Sequence, residues 1–167
     1  RLTGGARLEH NDYTGLEVLP TLRAALDVGE EALLWASLSR TVRAPARLDR
    51  DFFFPAAPPF QIRGGADFRS EVADVAELGW RARPTPAFGY SLTAFHHQYR
   101  RLRGGTPAPT AIENRIAGSA AGVEGWGSLD LTRTWRLAGG FVELRKSLEA
   151  APGTSPNSIA DLGNDPR

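Results

Sequence analysis

The feature that most constrains this chain is an alternation of apolar and polar side chains with a period of two, sustained for ten residues and more at a stretch. Side chains of an extended strand point alternately to the two faces of a sheet, so such a pattern gives one greasy face and one wet face. Seven segments carry it. In the first, Leu2, Ala6 and Leu8 oppose Arg1, Thr3, Arg7 and Glu9; in the second, Leu16, Val18, Leu22, Ala24, Leu26 and Val28 oppose Glu17, Thr21, Arg23 and Asp27. The third is more mixed, with Leu34, Ala36 and Leu38 against Trp35, Ser37 and Ser39. The fourth sets Val72, Ala76, Leu78, Trp80 and Ala82 against Glu71, Glu77, Arg81 and Arg83, with Asp74 as its one exception. The fifth sets Phe88, Tyr90, Leu92 and Ala94 against Gly89, Ser91 and Thr93. The sixth has Val123, Leu129 and Leu131 against Glu124, Ser128 and Asp130, and the seventh Val142, Leu144 and Leu148 against Glu143, Arg145, Ser147 and Glu149.

Most of these segments run to about 10–15 residues, whereas strands of globular proteins cluster near five or six. The connections have a pattern of their own. "DVGE", "PTP" and "RTW" are tight, and between them lie the long breaks "APARLDRDFFFPAAPPFQIRGGAD", "RLRGGTPAPTAIENRIAGSAA" and "APGTSPNSIADLGNDPR". After an initial short "NDYTG" turn the order is short, long, short, long, short, long. Outer-membrane barrels alternate in this way because their periplasmic turns are tight and their extracellular loops extend. The expected fold is all-β: an antiparallel up-and-down meander forming part of the wall of a large transmembrane β-barrel, an open curved sheet in isolation, with residues 1–167 as a single partial barrel domain. A helix across "RAALDVGEEALLWASL" is disfavoured, because Gly29 interrupts it and alternation continues on both sides.

Composition narrows the function. Lysine and arginine total 20 against 19 aspartates and glutamates, so no strong field points to nucleic acid. Lys146 is the only lysine, and there is no cysteine to form a disulfide or a thiolate metal site. No run of about 18 apolar residues exists, which excludes a transmembrane helix but not a transmembrane strand. The chain contains no methionine, opens inside a strand-like pattern and stops without a terminating element, so it is expected to be part of a longer protein. Trp80 and Tyr90 flank the Pro-Thr-Pro turn on apolar faces, as an interfacial girdle requires, while Trp126 and Trp135 fall on polar faces. Pro20 lies inside the second segment, where it removes a ladder donor and calls for a bulge or a strand start displaced to Thr21.

Several stretches resemble TonB-dependent outer-membrane receptors. "LWASLSRTVRAPARLDRD" is similar to that family's strand leading into an extracellular loop; "SEVADVAELGWRARPTPAFGYSLTAFHHQYRRL" and "AAGVEGWGSLDLTRTWRLAGGFVEL" resemble the two following hairpins, and "GNDPR" the Asp-Pro before the next strand. The resemblance implies a segment from the C-terminal half of a 22-stranded barrel that imports ferric siderophores, cobalamin or similar scarce nutrients. It implies a location in the outer membrane, contact with its lipids, and TonB as a partner through an N-terminal plug region not in this sequence.

No nucleophile elbow, phosphate-binding loop or zinc-protease motif occurs, so no catalytic residues and no cofactor are expected. His96 and His97 are adjacent, hence on opposite faces, which makes a shared metal ion unfavourable. Arg40, Arg43, Glu71, Glu77, Arg81, Glu124 and Glu143 are expected on the lumen side, paired with one another or with a plug. Phe52, Phe53, Phe54 and Phe60, on a long proline-rich loop, are expected as ligand or protein contacts at the extracellular mouth, or as a loop folded onto itself or onto the plug. Two other classes fit parts of the pattern: a soluble β-sandwich binding or adhesion module, and a barrel enzyme such as an outer-membrane lipase.

Overall fold

A computed structural model describes residues 1–160; the "GNDPR" stretch lies outside the described residues. The seven alternating segments are seven long strands: β1 (Leu2–Asn11), β2 (Gly15–Val28), β3 (Ala32–Arg43), β6 (Glu71–Thr85), β7 (Phe88–Gly105), β8 (Thr110–Asp130) and β9 (Arg136–Ala150). The loop after β3 adds a four-residue helix α1 (Arg47–Arg50) and two-residue strands β4 (Phe53–Phe54) and β5 (Ile62–Arg63), and a helix α2 (Pro156–Ala160) follows β9. All nine strands belong to one sheet, in the order β1-β2-β3-β6-β7-β8 with β9 on β8. Every long pairing is antiparallel between chain neighbours, so the topology is a meander in a single layer rather than the two stacked layers of a sandwich.

The tight turns follow from local chemistry. Asn11 Oδ1 accepts from the Tyr13 and Thr14 amides at 3.0 Å each, and Gly15 follows with φ 73°. Gly29, at φ 67°, turns β2 into β3. Thr132 Oγ1 closes the β8–β9 turn by accepting from the amides of Thr134 and Trp135.

One face runs unbroken across the sheet. Leu22 pairs with Leu38, Leu34 with Trp80, Leu78 with Ala94, Ala94 with Val123, and Leu129 with Leu137. Most of this face stays exposed: Leu26 is 61% exposed, Leu38 56% and Leu78 54%, while Leu34 and Trp80 are half-buried. The buried hydrophobic set is small, and Phe68, Ala111, Ile112 and Ile116 in it belong to the loop-bearing end. A sheet that leaves its greasy face bare has not buried its core within this chain.

Aromatic rings pack on that sheet by lying on glycines of the adjacent strand. A Cβ at Gly79 would sit 2.1 Å from the Trp35 indole, at Gly122 2.6 Å from the Phe95 ring, and at Gly125 2.6 Å from Phe141. Each ring and its glycine are direct register partners.

Three expectations change. The 101–121 stretch is a tall hairpin rather than a long loop, since β7 and β8 continue to Gly105 and from Thr110 around a four-residue turn. Pro20 sits in an unbroken β2 opposite Ala6, and the β2–β3 ladder ends beside it at Thr21↔Ser39. Beyond that point β2 and β3 part.

The third change concerns faces. Register puts Arg40 opposite Asp74 on the same side as Leu38 and Ala76, and Glu143 opposite Val123 on the side of Leu129 and Leu137. Both were expected on the opposite face. The polar-apolar phase inverts along the strands: on β9, Leu137 and Phe141 share a face with Glu143 and Arg145, and on β3 Leu38 is followed by Arg40. Alternation says which residues share a side, not which solvent that side meets at each height.

The inversion line is oblique. The row through Phe141 crosses Gly125, Leu92 and Trp80 and reaches β3 at Leu34, four residues before Leu38. Four residues along a strand are about 13 Å and four strand spacings about 19 Å. The boundary of the apolar band therefore crosses the strands at about 35° to the perpendicular, the tilt of strands in a membrane barrel, about 35–45°.

Candidate functional site

The candidate site is the end of the sheet that carries the long loop between β3 and β6. This loop does not flop outward. It crosses from β3 to the far edge of the tall hairpin, where Ile62 and Arg63 of β5 pair in parallel with Thr110 and Ala111 of β8.

Its anchor is Asp49, 1% exposed. The carboxylate accepts from the Ala46 amide at 2.9 Å and Arg43 Nη1 at 3.0 Å, with Arg103 Nε at 3.3 Å. Arg43 also binds Glu71 at 2.5 Å, and Glu71 accepts from the Arg103 amide. One network thus ties the loop to β3, β6 and β7, in agreement with the rule that buried charge is paired. Asn114 completes the fastening: its Oδ1 accepts from the Arg69 amide at 2.7 Å and its Nδ2 donates to the Arg69 carbonyl.

Where β2 and β3 part, the loop fills the gap. Ser70 Oγ donates to Glu17 at 2.6 Å, Arg50 Nη1 donates to the Tyr13 carbonyl at 2.8 Å, and the Arg50 guanidinium lies 5.1 Å from the Tyr13 ring centre. Tyr13 donates its hydroxyl to Asp51, and that hydrogen bond raises the hydroxyl's pKa above the usual tyrosine value. Between these contacts is a polar cleft of about 430 Å³, with Arg50, Arg69 and Arg101 on its walls alongside Glu17 and Asp67.

Past the anchor, the β4–β5 hairpin presents the aromatic residues. Phe52, Phe53 and Phe54 are all exposed, Phe54 by 52%, and the Phe53 and Phe60 rings tilt against each other at 5.1 Å. The phenylalanine run is therefore a bare apolar tip on a fastened stem.

The charged residues singled out by alternation divide. Arg43 and Glu71 join the loop anchor. Glu77 accepts from Ser37 at 2.9 Å and, with Arg81, lines a groove of about 480 Å³ on the face opposite the leucines, beside Trp35. Glu124 shares that face, opposite Thr93. Arg40 and Glu143 do not. His96 and His97 point apart, His96 opposite Ala76 and His97 opposite Val75, where His97 Nδ1 meets Tyr99 Oη at 3.0 Å. Sequence reasoning missed Asp49, Asn114, Arg50 and Arg103. The acid three residues beyond the start of a short helix was the available sign for Asp49, but Ala46 in place of a serine or threonine left that sign incomplete.

The sequence profile of the TonB dependent receptor-like β-barrel family matches residues 1–165. The chain belongs to the TonB-dependent receptors. It is part of an outer-membrane β-barrel wall. No curated protein matches it in sequence. Among solved structures it is similar to the siderophore receptor PirA from Pseudomonas aeruginosa, with TM-score 0.77 and 20% identity over 87% of this chain and 31% of that one. It is also similar to the ferric enterobactin receptor PfeA of Pseudomonas aeruginosa in complex with BCV-L6, with TM-score 0.72 and 22% identity over 87% and 24%. PirA from Acinetobacter baumannii gives TM-score 0.71 and 18% identity over 87% and 25%. The chain thus spans about a third or less of the length of these receptors. The exposed leucines share one face of the sheet, and Glu77, Arg81 and Glu124 share the other. The long-loop end also carries the short β1–β2 turn, whereas the β2–β3, β6–β7 and β8–β9 turns lie at the opposite end.

Proposed function

We propose that this wall segment serves an importer of ferric siderophores or similarly scarce nutrients, and that its contribution is to hold a capture loop at the extracellular mouth. The observation that carries the reading is the loop between β3 and β6: a buried Asp49 clamp fixes its stem while Phe52, Phe53 and Phe54 remain bare at its tip. Ordered aromatic side chains lose little entropy on binding and offer large apolar area. The neighbouring cleft, walled by Arg50, Arg69 and Arg101, suits an anionic chelate.

Uptake is binding and gated passage, with no bond chemistry in the wall. Energy reaches the barrel through TonB and a plug, and Glu77, Arg81 and Glu124 on the lumen face supply polar contacts to that plug. The test is deletion of Phe52–Phe54 from the full-length receptor, followed by uptake of radiolabelled ferric siderophores and growth on single iron sources. Loss of uptake with normal surface expression is the expected result, and unchanged uptake of every cargo that the intact receptor carries would refute the role of the loop.

A further inference from the structure

The corrected position of Arg40 leaves a charged cluster on the wrong side of a membrane wall. Arg40, Asp74 and Arg100 all lie on the outer face, one register row beyond Leu38 and Ala76 or, for Arg100, two. Arg40 grips Asp74 with two hydrogen bonds, Nε to Oδ1 at 2.7 Å and Nη2 to Oδ2 at 3.3 Å, and Arg100 Nη2 bonds the same Oδ2. Two cations share one anion, so the cluster carries a net charge of +1, and both guanidinium groups remain nearly half exposed. Arg40 spends Nε and Nη2 on Asp74, which leaves the N–H groups of Nη1 for an external acceptor.

The cluster sits beside a built recess. The β2–β3 ladder ends next to Pro20, and the strands part there. The resulting groove, about 460 Å³, is walled by Pro20, Leu22, Leu38 and Ala76 below and by Arg40, Asp74 and Gln98 above. Its lower half is hydrocarbon-like and its upper half polar, with Arg40 on its wall paired to Asp74 and Arg100, outside the lining, bonded to the same carboxylate. Charge on the lipid face is strongly unfavourable at the bilayer midplane and tolerated near the interface. A cluster directly above the apolar band, at the loop-bearing end, therefore stands at the headgroup level of the outer leaflet.

We propose that Arg40 and Arg100 form a binding site for a phosphate-bearing lipid of the outer leaflet, with the acyl chain along Leu22 and Leu38 and the phosphate on the free guanidinium edges. Arginine's planar fork matches phosphate geometry, and an apolar groove that ends at Arg40, with Arg100 on the far side of Asp74, is complementary to an anionic lipid along its length. Asp74 presents the two guanidinium groups side by side and at the same time weakens their field. The inference rests on the barrel assignment alone and not on which nutrient is imported.

The test uses the full-length receptor in an uncharged maltoside detergent, titrated with diphosphoryl lipid A and read by native mass spectrometry. Bound lipid is expected with the diphosphoryl form and lost with the dephosphorylated form, and inorganic phosphate is expected not to compete. Arg40→Gln and Arg100→Gln should each weaken binding about fivefold, the effect of one basic side chain near an anionic headgroup. Asp74→Asn should strengthen it, because it removes the competing charge while keeping an acceptor for the arginines. A cluster that merely braces the wall would lose order with Asp74→Asn and gain no affinity. Affinity that stays level or falls in Asp74→Asn, or lipid retention that survives the double glutamine variant, overturns the proposal. Should the glutamine pair fail to assemble, Asp74→Asn alone decides. Siderophore uptake measured in the same variants separates this site from the mouth loop, since the two should fail independently.

Discussion

Replacing Asp49 by alanine should open the loop between β3 and β6 without unfolding the wall. Three donors converge on this carboxylate: the Ala46 amide at 2.9 Å, Arg43 at 3.0 Å and Arg103 at 3.3 Å. The amide contact resembles a helix cap, about 1 kcal/mol. Buried charge-assisted bonds reach about 1.5–3 kcal/mol each, but the Arg43 and Arg103 side chains are 46% and 42% exposed, and solvent screening brings each pair to about 1 kcal/mol or less. The sum is about 2–3 kcal/mol of loop-closing free energy, which raises the open fraction by roughly 30- to 150-fold. Hydrogen exchange of the full-length receptor reads this directly, because closure protects the Gly65 amide, bonded to the Asp49 carbonyl at 2.9 Å, and the Gly64 amide, bonded to the Phe52 carbonyl. Asp49→Asn, which keeps an acceptor and loses the charge, should fall between. Unchanged exchange at these glycines, or an equal rise across β6 and β7, would refute the clamp.

The glycine–aromatic pairs and the face assignment are testable in the same background. Gly79→Ala places a methyl 2.1 Å from the Trp35 indole and should expel it, costing about 1–2 kcal/mol of stability and shifting tryptophan fluorescence toward the solvent-exposed value; in a Trp35→Ala background the same change should cost almost nothing, and an equal cost in both would show that the indole is not what the glycine accommodates. Leu78→Arg and Glu77→Arg, adjacent in sequence, should differ sharply in lipid vesicles: the first puts a charge into the apolar band and costs about 2–4 kcal/mol in urea unfolding, the second falls on the opposite face, proposed above as the lumen side, and should cost far less. Equal effects would mean that the two faces have been assigned the wrong way.

The sequence by itself determined that the chain is a meander of long antiparallel strands with one greasy face, because a period of two is a property of the extended backbone and survives any tertiary arrangement. It also located the tight turns, through the short connections "NDYTG" and "DVGE", and the resemblance that leads to the receptor family. It could not say which solvent a face meets. Asp74 looked like a flaw in the fourth segment until the register set it between Arg40 and Arg100, and Val142 and Leu144 looked lipid-facing until β9 was seen to pass out of the apolar band at Phe141. Nor could the sequence show that a loop beginning at Ala44 reaches the edge of β8, or that Asp49, Arg43, Glu71 and Arg103 meet. Those contacts join residues tens of positions apart, and cross-strand register together with strand tilt, rather than local pattern, decides which height each side chain occupies and what surrounds it there.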